Sequence, residues 1–239
     1  MKHDQPWGIF VVAAVALVLA SVKGAEGSDA KISREEGEFK IFIAGQEIGT
    51  EKYIIASAED SASSSSILDF RNPGETHQKL HFTTKLDMNA QYVPRAYELK
   101  SDVDGKKGSI VGFFKPNEVI FEYRSEGNPK RSGLLVGDQF TLLDTNIFHH
   151  FVFLARLFNF DSKEKSQKFE VVIPQEPDSG FLKIADLGKE SLVVLGKKIE
   201  SHRLQADSGM LRIQLWVDDQ HVLHKIVVKD RDVEVIRTP

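Results

Sequence analysis

Hydrophobic and polar residues alternate with a period of two along most of this chain, and one stretch breaks the rhythm. Period two sends successive side chains to opposite faces of an extended strand, so the alternating runs predict β-structure. The first lies at residues 38–44, where Phe39, Ile41 and Ile43 alternate with Lys40, Phe42 and Ala44, and the second at 51–57. Gly45-Gln46-Glu47-Ile48-Gly49 between them supplies turn geometry for a hairpin. Residues 79–87 alternate most cleanly, with Leu80, Phe82, Thr84 and Leu86 on one face and His81, Thr83 and Lys85 on the other. Strands follow at 96–101, 109–115 and 118–125, separated by turn residues such as Asp104-Gly105 and Pro116-Asn117. Weaker runs occupy 134–136 and 139–143. Beyond residue 165 the period returns at 168–173, 181–187, 190–195, 197–206, 210–217, 221–229 and 232–237. Residues 57–66, SAEDSASSSS, are polar and of low complexity and predict a flexible loop.

The exception is TNIFHHFVFLARLFNF, residues 145–160. At 100° per residue, Ile147, Phe148, Phe151, Val152, Leu154, Ala155 and Phe158 share one broad apolar face, which predicts a core-packed helix over about 144–161. Asp144, Thr145 and Asn146 are each able to cap its start. Phe153, Leu157 and Phe160 form a second, narrow apolar stripe among Thr145, His149, His150, Arg156 and Asn159. A helix apolar on two sides needs two partners: the sheet, and for the second stripe a loop, another chain or an apolar ligand. Phe153, Leu157 and Phe160, with Arg156 and His150 beside them, are therefore the candidate ligand-binding residues, expected at the rim or wall of a groove. Arg156 either pairs with a strand carboxylate or meets an anionic headgroup. Hairpin-linked strands around a central helix, with no βαβ rhythm, predict one mainly-β domain. The expected architecture is a single antiparallel curved sheet, or incomplete barrel, with the helix packed on its concave face.

Composition changes the picture at the N terminus. Residues 9–20, IFVVAAVALVLA, form an uninterrupted apolar run preceded by Lys2 and His3 and followed by small residues, the pattern of a secretory signal peptide. The run is shorter than the ~20 residues a bilayer span wants. Residues 1–24 are thus expected to be removed, leaving a domain at 25–239 with no transmembrane span. The chain has no cysteine. An exported chain without disulfides or an N-terminal lipidated cysteine points to a bacterial periplasm. A net charge of −4 with no basic block offers nucleic acid no electrostatic footing.

Little in the sequence is arranged for chemistry. His149 and His150 are adjacent, hence about 100° apart on a helix, and do not form an i, i+4 metal pair. His221 and His224 fall on opposite faces of a strand. No Gly-x-Ser-x-Gly elbow is present, and Gly105-Lys106-Lys107-Gly108 lacks the context of a phosphate loop. No catalytic residue, metal or cofactor is expected. The 16 phenylalanines are a better hint, with two-sided apolar runs at Phe113-Phe114, Val119-Ile120-Phe121, 192–195 and 222–228. Two-sided apolarity means a covered second face or a cavity wall.

The order of parts carries a resemblance. An exported start leads into a hairpin at Ile43-Ala44-Gly45-Gln46-Glu47-Ile48-Gly49, then Val93-Pro94-Arg95-Ala96-Tyr97. A helix behind Asp144 carries Phe151, Leu154, Ala155 and Arg156, and Leu215-Trp216-Val217-Asp218 precedes a closing strand pair. Over residues 36–237 this resembles a family of exported bacterial domains of unknown function, related in shape to the incomplete β-barrel of the lipoprotein carriers of outer-membrane sorting. The resemblance implies an apolar concave surface, periplasmic residence and no known catalytic residues; in the carriers the comparable concavity shelters acyl chains. The expected function is non-enzymatic binding of a hydrophobic or lipid-like ligand, or an acylated partner, in the groove. The alternative is a structural module that docks another cell-envelope protein through the apolar helix edge.

Overall fold

Alternation of this length closes its hydrogen bonds only in a large sheet, and among its described residues the computed structural model contains one of fifteen strands. It describes residues 32–71, 78–209 and 211–238; the expected signal peptide lies outside them. Strands β1 (Ser33–Ile43), β2 (Gln46–Ser57), β3 (Ser61–Arg71), β4 (Lys79–Asn89), β5 (Pro94–Val103), β6 (Lys106–Lys115), β7 (Glu118–Arg124) and β8 (Lys130–Leu135) follow one another as antiparallel neighbours. Next come β9 (Phe140–Leu142) and the helix α1 (His150–Leu157). The second series is β10 (Ser166–Ile173), β11 (Asp178–Val194), β12 (Lys197–Asp207), β13 (Arg212–Val217), β14 (Leu223–Val228) and β15 (Val233–Thr238).

Strand β15 returns to pair antiparallel with β1, from Glu38↔Thr238 to Ile43↔Val233, and so joins the two series. The short β9 pairs in parallel with β10. The sheet's two edges, β8 and β9, are consecutive in the chain yet unpaired with each other, so the sheet is not closed into a barrel. Among the described residues no helix is long and apolar enough to cross a membrane.

Several expectations are corrected. The serine-rich stretch is not a loop: Ser61–Ser66 lie in β3, in full register with β2 and β4, and a tight turn closes at Ala58 N–H to Ser61 C=O, 2.8 Å. Alternation was hidden because the inward positions Ala62, Ser64 and Ser66 are small or polar, although all three are buried. The runs at 181–187 and 190–195 belong to one long strand, β11, with an irregularity between Asp186 and Lys189 where Gly188 has φ +104.

The helix spans eight residues rather than 144–161. Asn146 in the left-handed region (φ +63) stops it from starting earlier, and extended backbone at Phe158 ends it. None of the expected caps acts as one; His149 holds the N-cap position without a side-chain cap.

The broad face packs as expected, with Ile147, Val152, Leu154, Ala155 and Phe158 buried against the core. The second stripe meets protein as well: Phe153 is 0% exposed, its ring 5.4 Å from that of Tyr92. Every residue from His150 to Ala155 is buried. The helix is enclosed.

Candidate functional site

The two ends of α1 carry the polar chemistry. At the N-terminal end, the alternation that turns Tyr53 and Ile55 of β2 inward also turns Glu51 inward, and all three are buried. The Glu51 carboxylate accepts the backbone N–H groups of Phe148 (2.8 Å) and His149 (3.0 Å) through Oε2. It thereby satisfies orphan donors and complements the helix dipole from another element. Its Oε1 lies 2.7 Å from His149 Nδ1, and His149 Nε2 lies 3.2 Å from Ser64 Oγ. With Nδ1 donating to the carboxylate, Nε2 accepts from the serine hydroxyl.

Serine, imidazole and carboxylate in that order are the parts of a hydrolase triad. Here Ser64 is 6% exposed and the other two 0%, with the Tyr53 ring stacked 5.8 Å from that of His149. The array ties β2 and β3 to the helix and leaves a substrate carbonyl no approach.

His150 adds a second layer. Its Nδ1 accepts the Asp144 N–H at 3.2 Å, while Nε2 is buried without a partner. Burial, with His149 4.6 Å away between ring centroids, holds its pKa well below the usual histidine value. Asp144 accepts the Tyr97 hydroxyl at 2.5 Å and the N–H groups of Thr145 and Gln175, each at 2.9 Å. Burial nevertheless pushes its pKa up to about 6, and burial raises the Tyr97 phenol well above its ordinary value.

Arg156 finds a strand carboxylate: it donates to Glu35 of β1, which Arg237 of β15 also clamps at 2.7 Å, with the Tyr53 hydroxyl bonded to the same group. Burial works against ionisation of Glu35, but the Arg237 hydrogen bond and the two guanidinium charges outweigh it and hold its pKa below normal.

The C-terminal end opens into a pocket of about 580 Å³ lined by Arg156, Leu157, Phe160, Lys189, His202 and His221, among others. Phe160 stacks on His202 at 4.1 Å. His202 touches Asp186 and Asp219, each at 3.1 Å, and Lys189 reaches Asp219 at 2.7 Å. The Lys189 hydrogen bond is the first cause holding the Asp219 pKa below normal. His221 Nδ1 donates to the Ala155 carbonyl at 2.8 Å, an orphan acceptor of the last helical turn. The walls largely neutralise themselves. Among the described residues no three His, Asp or Glu side chains are placed to hold a metal.

Of the five expected site residues, Leu157, Phe160 and Arg156 therefore meet at this pocket, while Phe153 and His150 lie in the interior with no groove beside them. The partners that surround the helix, Glu51, Ser64, Tyr97 and Glu35, were missed. One signal was present: a glutamate in step with Tyr53 and Ile55 on an otherwise apolar strand face.

A larger cavity, about 720 Å³, lies on the face of β1–β5 turned away from the helix. It runs between the cross-strand row Glu38, Lys52, Ile67, Thr83, Lys100 and the row Glu36, Ile54, Ser65, Lys85, Glu98. Its floor passes over Gly37, where an added Cβ would come within 2.3 Å of the Tyr53 ring.

No protein-family model matches the chain, and no curated protein matches it. Among solved structures, the chain is similar to a β-barrel-like protein of the domain of unknown function DUF1849 from Brucella abortus, with a TM-score of 0.55 and 10% sequence identity. The match covers 87% of this chain and 95% of that one. At such identity the likeness is one of fold.

Proposed function

We propose that this is a non-enzymatic protein of the bacterial periplasm that works by docking another component of the cell envelope on the outside of its sheet. One observation carries the reading: all residues from His150 to Ala155 are buried, so this part of the helix offers no open apolar wall to an acyl chain. A filled interior with grooves on the outer face fits surface docking better than enclosure of a ligand. The apolar run at residues 9–20 supports export. Docking through the helix edge is not part of the reading, because that edge is covered.

A fluorescent fatty acid titrated into the folded protein tests this. We expect no saturable one-to-one binding. A stoichiometric site that Phe153→Ala enlarges or abolishes, while the protein remains folded, would return the reading to an enclosed apolar ligand.

A further inference from the structure

One part of the sheet outruns its neighbours. Strand β10 pairs with β11 only over Asp178–Ala185, and β13 pairs with β12 only over His202–Asp207. Residues 190–194 of β11 and 197–201 of β12 are therefore laddered only to each other, as a two-stranded ribbon. Five residues at ~3.3 Å each make its reach about 16 Å.

The turn of this ribbon is chemically odd. Leu195 and Gly196 have φ +48 and +79, left-handed at both positions, the geometry that favours Asn-Gly or Asp-Gly. Two other turns adopt the same backbone with a small or polar first residue, Ala44-Gly45 (φ +49, +77) and Asp104-Gly105 (φ +52, +87). A leucine in this conformation is strained, and at 53% exposure Leu195 gains little burial in return. Val193 beside it is 69% exposed, with Leu192 and Ile199 half-buried and Val194 covered. Lys197 and Lys198 follow the turn, both exposed; the next acidic residues along the ribbon are Glu190 and Glu200, and Glu200 comes within 3.9 Å of Lys198, in a chain of net charge −4.

We propose that this tip, Leu192–Lys198, docks on a membrane surface rich in anionic lipid. Leu195 and Val193 enter the boundary between headgroups and acyl chains, a depth of about 5–10 Å for interfacial elements. Lys197 lies opposite Val194 and Lys198 opposite Val193 in the ladder, so the lysines flank the aliphatic tip at its own level and their long side chains carry the amines back to the lipid phosphates. A protein hot spot would more often present an aromatic or arginine anchor, and the tip has neither. The acidic body of the chain is repelled by the same surface, which leaves the ribbon as the part that approaches. This deepens the surface-docking reading and rests on it.

The absence of cysteine makes the test direct. In protein recovered from its native compartment, Leu195→Cys and Val193→Cys each give a single thiol for an environment-sensitive nitrobenzoxadiazole label. Lys107→Cys, on a different hairpin, serves as control. With vesicles of phosphatidylglycerol and phosphatidylethanolamine, we expect the labels at 195 and 193 to shift blue and brighten severalfold, and the label at 107 to stay unchanged. Phosphatidylcholine vesicles should give no shift, and high salt should weaken the anionic response. Leu195→Asn with Val193→Ser should weaken vesicle binding about tenfold without lowering the thermal midpoint, because asparagine suits the left-handed position. Labels that respond no more than the control, or a double variant that binds as the wild type does, would overturn the proposal. A protein contact would then be the tip's remaining role. The surface-docking reading itself would stand or fall on the fatty-acid titration.

Discussion

The two ends of the helix solve the same problem in opposite ways. At its N terminus the orphan N–H groups are met by a carboxylate, Glu51, that is itself 0% exposed and shared with His149. At its C terminus the Ala155 carbonyl is met by His221 at the wall of an open pocket, among ion pairs such as Lys189–Asp219 whose side chains are 52% and 58% exposed. A buried charge is costly unless every partner is in place, whereas an exposed pair is screened and replaceable. The N-terminal end should therefore specify where the helix sits, and the C-terminal end should tolerate change.

The largest expected effects test the first half of that contrast. Glu51→Ala leaves the N–H groups of Phe148 and His149, at the entry to the helix, and the His149 ring without their acceptor, and should cost about 3–5 kcal/mol in denaturant unfolding, the range for breaking a buried pair. Phe153→Ala should cost a similar ~3–5 kcal/mol because its ring is wholly enclosed. If either variant unfolds at the wild-type midpoint, the N-terminal end does not anchor the helix.

Next in size is a pH effect. The carboxyl of Asp144 titrates at about 6 in the folded protein, above its unfolded value of roughly 3.9. The folded state thus binds the proton more tightly. The contribution is complete below the unfolded value and disappears as pH rises through about 6, a swing on the order of 3 kcal/mol. His150 opposes it: its folded pKa is depressed, so stability is lost as pH falls below the unfolded histidine value. The wild type should show a flattened stability profile between pH 4 and 6.5, roughly the window bounded by the two unfolded values. Asp144→Asn removes one side of the balance and should steepen the loss in acid. An unchanged profile would mean that Asp144 does not titrate in this window.

Ser64→Ala is expected to cost about 1 kcal/mol, one neutral hydrogen bond lost in a buried site. A much larger loss would mean that the serine, rather than the carboxylate, fixes the imidazole.

Parts of this contrast were legible in the sequence. The cleanest alternation, at 79–87, is β4, and the broad apolar face of the helix is core at Ile147, Val152, Leu154 and Phe158. Periodicity reports which faces are apolar, but not how many surfaces surround a helix. The second stripe reads as an unpartnered edge until the Tyr92 ring, brought in by the turn between β4 and β5, covers Phe153. The serine-rich strand was illegible because its buried positions are filled by Ala62, Ser64 and Ser66, residues that carry no hydrophobic period. The Glu51–His149 pair spans 98 residues of chain. Such pairings are set by strand order, which local pattern does not encode.

The smallest expected effect closes the comparison. Lys189 reaches Asp219 at 2.7 Å, a distance as short as that between His149 and Glu51. By distance alone the two contacts would be ranked equal. Exposure separates them: water and salt screen Lys189–Asp219, and Asp219 keeps His202 as a second partner when the lysine is gone. Lys189→Ala should therefore leave the denaturant midpoint within experimental error at physiological salt, with a slight decrease emerging only at low ionic strength. A clear loss that persists in high salt would show that the pocket at the helix C terminus is as tightly specified as the buried end, and the division between an anchoring end and a tolerant end would fail.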